Sequence, residues 1–194
     1  MNRFSRKNIQ KICVIYIIFL LLSSIFAFIL INTVNSSDTP WRSPSEEGDT
    51  YSDWYQSTKV YIADGEYVFD SGEQDYYGFN LNIPSEKTID GIVVSVKGKK
   101  KMVVPDQGPL SLECSLTWND FSDETTTKSE TWENTVFFEY KEFGSSTDTW
   151  GRTWSYDEFS NSNFRVHFNV LNLGEIDHVR VKVYYSESNN PPDT

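Results

Sequence analysis

Two sets of side chains in this sequence have the types and positions for ligand chemistry. The first is a scatter of aspartates in turn-rich stretches, among them Asp64, Asp120 and Asp148. Carboxylates in loops hold Ca²⁺ when six to eight oxygens converge. Calcium is therefore the one cofactor these residues suit, although no twelve-residue calcium loop is present. The second set is aromatic, Trp132, Trp150 and Trp154. Exposed indole rings stack on sugar faces, so the three form a candidate glycan platform. Trp132, in Ser-Glu-Thr-Trp-Glu-Asn, is the best exposed candidate. Trp118 closes an inward-alternating run and reads as core, and Trp150 and Trp154 also suit the packing of a corner.

Catalytic groupings are scarce. The only two histidines, His167 and His178, occupy outward or edge positions of terminal strands, and no His or Cys partner has metal-site spacing. Glycoside hydrolysis needs two carboxylates about 5 to 10 Å apart. With 28 acidic residues, pairs are guaranteed by abundance and identify nothing. Phosphate loops, Gly-x-Ser-x-Gly and His-Glu-x-x-His are absent. The two cysteines build no framework: Cys13 edges an apolar run, and Cys114 shares an alternating face with Leu110, Leu112 and Leu116.

Charge narrows the partners. Four of the 17 basic residues precede residue 31, so 13 remain against 28 acids, a net of −15. Such a surface repels phosphate backbones, which excludes nucleic acid as the expected partner. The basic run Lys-Gly-Lys-Lys-Lys at 97–101 is the exception and reads as a solvated turn guarding a sheet edge.

The elements that must position these residues begin with a basic flank, residues 1–13, and an uncharged run of 18, residues 14–31. At 1.5 Å per residue that run is about 27 Å long, close to the hydrocarbon thickness of a bilayer. It reads as one N-terminal transmembrane signal anchor, or as a cleaved signal peptide with weak cleavage sites. Either puts residues 38–194 outside the cytoplasm, anchored to the membrane in the first case and secreted in the second. Residues 32–58 are rich in Ser, Thr, Asp and Pro and read as a tether, with Trp41, Trp54 and Tyr55 suggesting that part of it docks.

From residue 59 to 186 the signals are all β. Phe164, Val166, Phe168 and Val170, then Val179, Val181, Val183 and Tyr185, alternate strictly with polar residues. Each such side chain gains roughly 1.5–3 kcal/mol only on leaving water, so a second sheet must cover the greasy face. Upstream strands are expected at 60–62 and 67–69 around an Asp64-Gly65 turn, at 77–84 with Phe79, Leu81 and Ile83 on one face, and at 89–97. Others are expected at 110–118 and at 133–140 with Val136, Phe138 and Tyr140 inward. Together they predict an all-β, two-layer antiparallel sandwich, followed by a disordered tail at 187–194.

Five segments, Gly-Phe-Asn-Leu-Asn-Ile-Pro (78–84), Thr-Ile-Asp-Gly-Ile (88–92), Ser-Leu-Thr-Trp (115–118), residues 144–166 and Ile-Asp-His-Val (176–179), recur in a known order. The pattern resembles a jelly-roll-like β-sandwich module of secreted, surface and phage-associated proteins. That resemblance implies the fold and an adhesive or architectural setting, and brings no catalytic residues. Within it, Gly151 suits a corner where a side chain would clash, and Asn161 suits a turn closed by backbone hydrogen bonds. Asp90 and Asp177 open strands and are expected to accept backbone N–H groups there.

The expectation is a non-enzymatic extracytoplasmic surface module with a structural, protein-contact or adhesion role. A carbohydrate-binding module using exposed aromatics is the alternative, and a glycan-active enzyme the remote one. Its partners would be the membrane, through the N-terminal helix, and a protein or glycan outside the cytoplasm.

Overall fold

The computed structural model describes residues 36–101, 108–119, 122–133 and 136–188. The apolar run at 14–31, Asp120 and residues 189–194 of the expected tail lie outside them. No helix among the described residues is long and apolar enough to cross a membrane.

The chain from Ser36 onward forms one compact unit of two antiparallel sheets. The smaller sheet runs in the order β1 (Ser37–Asp38), β10 (Gly174–Glu187), β4 (Lys87–Lys100), β8 (Glu139–Gly144). The larger runs β2 (Glu46–Ser52), β3 (Gly72–Tyr77), β9 (Arg165–Asn172), β5 (Leu110–Trp118); β6 (Asp123–Glu124) and β7 (Lys128–Trp132) pair in succession along the remaining side of β5. The two-layer antiparallel sandwich is therefore as the alternation requires. Phe164, Val166, Phe168 and Val170 are buried, and so are Val179, Val181 and Val183. They meet Ile92, Val94 and Val96 of β4 and Leu112, Cys114 and Leu116 of β5 in one core. Full burial pushes the Cys114 thiol well above its ordinary pKa, so it packs as a small hydrophobe.

Several upstream elements differ from the expectation, each for a local reason. Residues 57–61 form a 3-10 turn with Val60 buried, and 67–69 contributes a single bridge, Val68 to Ile176. The Asp64-Gly65 pair therefore closes no hairpin; the Gly65 N–H donates instead to Asp177 Oδ1 at 3.0 Å. The stretch 78–84 buries Phe79 and Leu81 on alternation, yet it is not a strand. Gly78, Asn80 and Asn82 all take positive φ (73°, 51° and 50°), which breaks the ladder while preserving the alternation. Residues 97–100 are the paired end of β4, opposite β10, rather than a turn. Val136 is exposed and Tyr140 faces outward, because the inward residue of β8 is Phe143.

The lead-in is more ordered than a tether. Residues 37–38 and 46–52 are strands, and Trp54 lies buried against Tyr76 and Phe168. Trp41 covers the outer face of the small sheet, where the Arg180 guanidinium sits between the Trp41 and Tyr140 rings at 4.2 and 4.1 Å. Tyr55 remains exposed. The sandwich thus begins well before residue 59.

Candidate functional site

In a two-layer sandwich the outward residues of a sheet are ordinarily wet. At the centre of the larger sheet some are buried instead. Asp75 of β3 pairs with His167 of β9, and His167 with Ser115 of β5, so the three stand side by side across three strands. Asp75 is 0% and Ser115 1% exposed. One row further, Glu73, Asn169 and Glu113 stand in the same way. These are the polar positions of the alternating strands, set outward because Gln74, Phe168 and Cys114 between them are buried toward the core.

The rows are walled on both sides. Glu47 pairs with Tyr76 and Ser52 with Gln74, so residues 48–51 of β2 arch over the single Asp75 between them. A side chain at Gly48 would collide with the Asp75 carboxylate, so the arch needs glycine there. Beyond it, the Tyr51 ring lies against His167, centroids 4.4 Å apart. On the other side β6 brings Glu124, which accepts a short hydrogen bond from Ser115 Oγ. Between the walls lies a cleft of about 180 Å³, lined by Tyr51, Glu73, Glu113, Ser115, His167 and Asn169, with Glu124 and Thr127 at its rim.

Its floor is built of separate polar pairs. His167 Nδ1 shares a hydrogen bond with Asp75 Oδ1 at 3.0 Å, and Asn169 Nδ2 donates to Glu113 Oε2 at 3.2 Å. Burial raises the Asp75 pKa, opposed by the hydrogen bond and charge of His167. Asp75 Oδ2 and Thr117 Oγ1 are buried without a hydrogen-bond partner. The arrangement offers carboxylate acceptors, an amide and an imidazole around a space with one aromatic wall.

The residues singled out from sequence lie elsewhere. Trp132, Trp150 and Trp154 are 0%, 1% and 4% exposed, and each indole N–H donates to a backbone carbonyl, of Glu139, Ile92 and Thr149 respectively. They are anchors of the interior, so they form no exposed platform. A buried indole is stable because its one donor has found a partner. Of the aspartates, Asp64 accepts the Glu66 N–H at 2.9 Å. Asp148 caps the Trp150 N–H at 2.8 Å and pairs with Lys128 at 2.7 Å. Burial pushes the Asp148 pKa up, and these bonds outweigh it and hold the pKa low. Asp64 and Asp148 each serve a local turn, and no group of three or more metal-ligating side chains occurs among the described residues.

The structural residues match the expectation in part. Asp90 accepts the Ser186 hydroxyl at 2.9 Å rather than a backbone N–H. Buried Asp177 does accept a backbone N–H, that of Gly65, and it also pairs with Lys97, whose ammonium is 2.5 Å away. Gly151 has open space around its Cα and is required by its φ of +82° rather than by a clash. The turn at Asn161 is closed by the Ser160 carbonyl, which accepts the Asn163 and Phe164 N–H groups; Asn161 reaches outward instead, accepting the Gly78 N–H through its carbonyl and the Asn80 N–H through Oδ1. His178 is buried, not exposed, held by Ser43 Oγ at 2.8 Å and Tyr140 OH at 2.9 Å.

No protein-family model and no curated protein matches the chain. Among solved structures, the chain is similar to the CBM22-1 xylan-binding domain from Paenibacillus barcinonensis Xyn10C, at TM-score 0.39 and 9% identity. The match covers 76% of this chain and 95% of that one.

Proposed function

We propose that this chain is an extracytoplasmic carbohydrate-binding module whose ligand lies in the groove on the outer face of the larger sheet. The observation that carries the proposal is the walled double row of polar side chains, Asp75–His167–Ser115 and Glu73–Asn169–Glu113, at positions where a bare sandwich would be open to water. A sugar ring presents hydroxyls at its edge and C–H groups on its faces. The groove answers the first with fixed acceptors and an amide donor, and the second with the Tyr51 ring. Carboxylates outnumber cations around it, so the ligand is a neutral or basic sugar rather than an acidic one. Placement outside the cytoplasm is supported by the basic flank and apolar run at 1–31.

The test is calorimetric titration of the full chain, in a detergent without sugar headgroups, against neutral oligosaccharides of xylose, glucose and N-acetylglucosamine. Saturable binding weakened at least tenfold by Asn169→Ala is expected. Silence toward every sugar by a folded sample overturns the proposal.

A further inference from the structure

A second cleft, of about 270 Å³, lies away from the groove, where the 78–84 segment meets the turn at 156–161. Its construction starts with the backbone. Left-handed φ at Asn80 and Asn82 buries Phe79 and Leu81 while leaving both asparagines exposed on the cleft side. Non-glycine residues in this conformation persist only where the surroundings hold them. Here Asn161 does so, through the two bonds it accepts from the Gly78 and Asn80 N–H groups, the second at 2.7 Å.

The same bonds leave hydrogen-bonding capacity facing the cleft. Asn161 is engaged through its oxygens, so its side-chain NH₂ has no partner among the described residues. Asn82 donates to the Asn80 carbonyl and keeps its side-chain oxygen, while the side-chain amide of Asn80 and the Ser160 and Tyr156 hydroxyls make no hydrogen bond among the described residues. Below these groups the lining turns apolar with Ile83 and Phe159, and Tyr156 at the side is 39% exposed. Among the described residues no Lys, Arg or His lines the cleft, and Asp157 is its one charged residue. An anion would find no counter-charge there, and a cation only one.

From this geometry we infer that the cleft is a second ligand site, taking a neutral polyhydroxylated unit. The C–H face of a pyranose lies against Tyr156, and its hydroxyls reach the amides of Asn80 and Asn161. The site is separate from the groove and stands or falls without it.

The experiment is hydrogen–deuterium exchange by mass spectrometry on the full chain in non-glycosidic detergent, with and without millimolar xylotetraose, cellotetraose and chitotetraose. Slowed exchange is expected over residues 78–84 and 155–163 with at least one of the three. It should vanish in Tyr156→Ala and in Asn80→Gly, which removes the amide while tolerating the positive φ. It should survive Asn169→Ala, which alters only the groove. Protection confined to β3, β5 and β9 would overturn the second site and leave the groove reading standing. Protection of the cleft alone would support the second site and count against the groove, and protection nowhere would overturn both.

Discussion

Replacing Trp132 separates an interior anchor from a sugar contact. The side chain is fully buried on β7 opposite Leu110, packs near Phe143 with ring centroids 6.4 Å apart, and donates to Glu139 O at 3.0 Å. Truncation to alanine removes the ring and its dispersion contacts, which costs about 3–5 kcal/mol in comparable cores. Trp132→Phe keeps most of the packing and loses the hydrogen bond, about 0.5–1.5 kcal/mol, plus the unfilled part of the indole volume. For a domain of this size each kcal/mol moves Tm by roughly 2–4 °C, so the alanine variant should melt about 6–20 °C lower. Urea melts with a shared m-value, followed by circular dichroism, give the free energies directly. A loss below about 1 kcal/mol for Trp132→Ala would refute the assignment. So would an unchanged melt combined with loss of sugar binding, since that is the signature of an exposed platform.

Other perturbations test other parts of the structure. Burial, then the charge of Arg180, lowers the His178 pKa, so the folded state resists its protonation. The stability this contributes is complete above the ordinary value of 6.5 and is lost as pH falls below it. Urea midpoints of the wild type should therefore drop between pH 7 and 5 more steeply than those of His178→Gln, and parallel profiles would contradict the assignment. Asp75 behaves oppositely: its raised pKa favours the folded state below the ordinary 3.8, and that advantage disappears as pH rises through the folded value. Asp75→Asn should flatten the acid side of the stability profile, and an unaltered slope in the same melts would count against it. Gly144→Ala should cost about 1–3 kcal/mol for the left-handed backbone alone. Its φ is +84° and an added methyl meets the Ile92 carbonyl, the acceptor of the Trp150 indole; a neutral urea melt would disprove that packing. In a Cys13→Ser variant, Cys114 should react with a thiol reagent only after unfolding, so rapid labelling of that native protein would place it at the surface.

The alternation of β9 and β10 made the sandwich legible, because a period of two over eight residues has one physical solution when one side must leave water. The same reading failed at 78–84, where alternating burial is produced by left-handed asparagines rather than by a strand. Asparagine tolerates that conformation, and Asn-x-Asn was the available signal. A strand at 133–140 is too early, since Val136, Phe138 and Tyr140 mimic an inward set while the buried residue of the strand at 139–144 is Phe143. The groove was missed for a different reason. His167, Asn169, Glu113 and Asp75 sit on the wet positions of their strands, and their meeting depends on which strands become neighbours. Pairing of β3 with β9 across some 90 residues leaves no local trace. The tryptophans misled because an indole suits a sugar and a core equally well until its N–H partner is known.

The central claim is that the outer face of the larger sheet is where this protein takes its ligand. Its most direct test is one titration series with neutral oligosaccharides comparing the wild type, Asn169→Ala and Trp132→Phe, each verified as folded. Binding that survives Trp132→Phe and collapses in Asn169→Ala is the predicted result. Binding that collapses in Trp132→Phe and is untouched by Asn169→Ala would contradict the account.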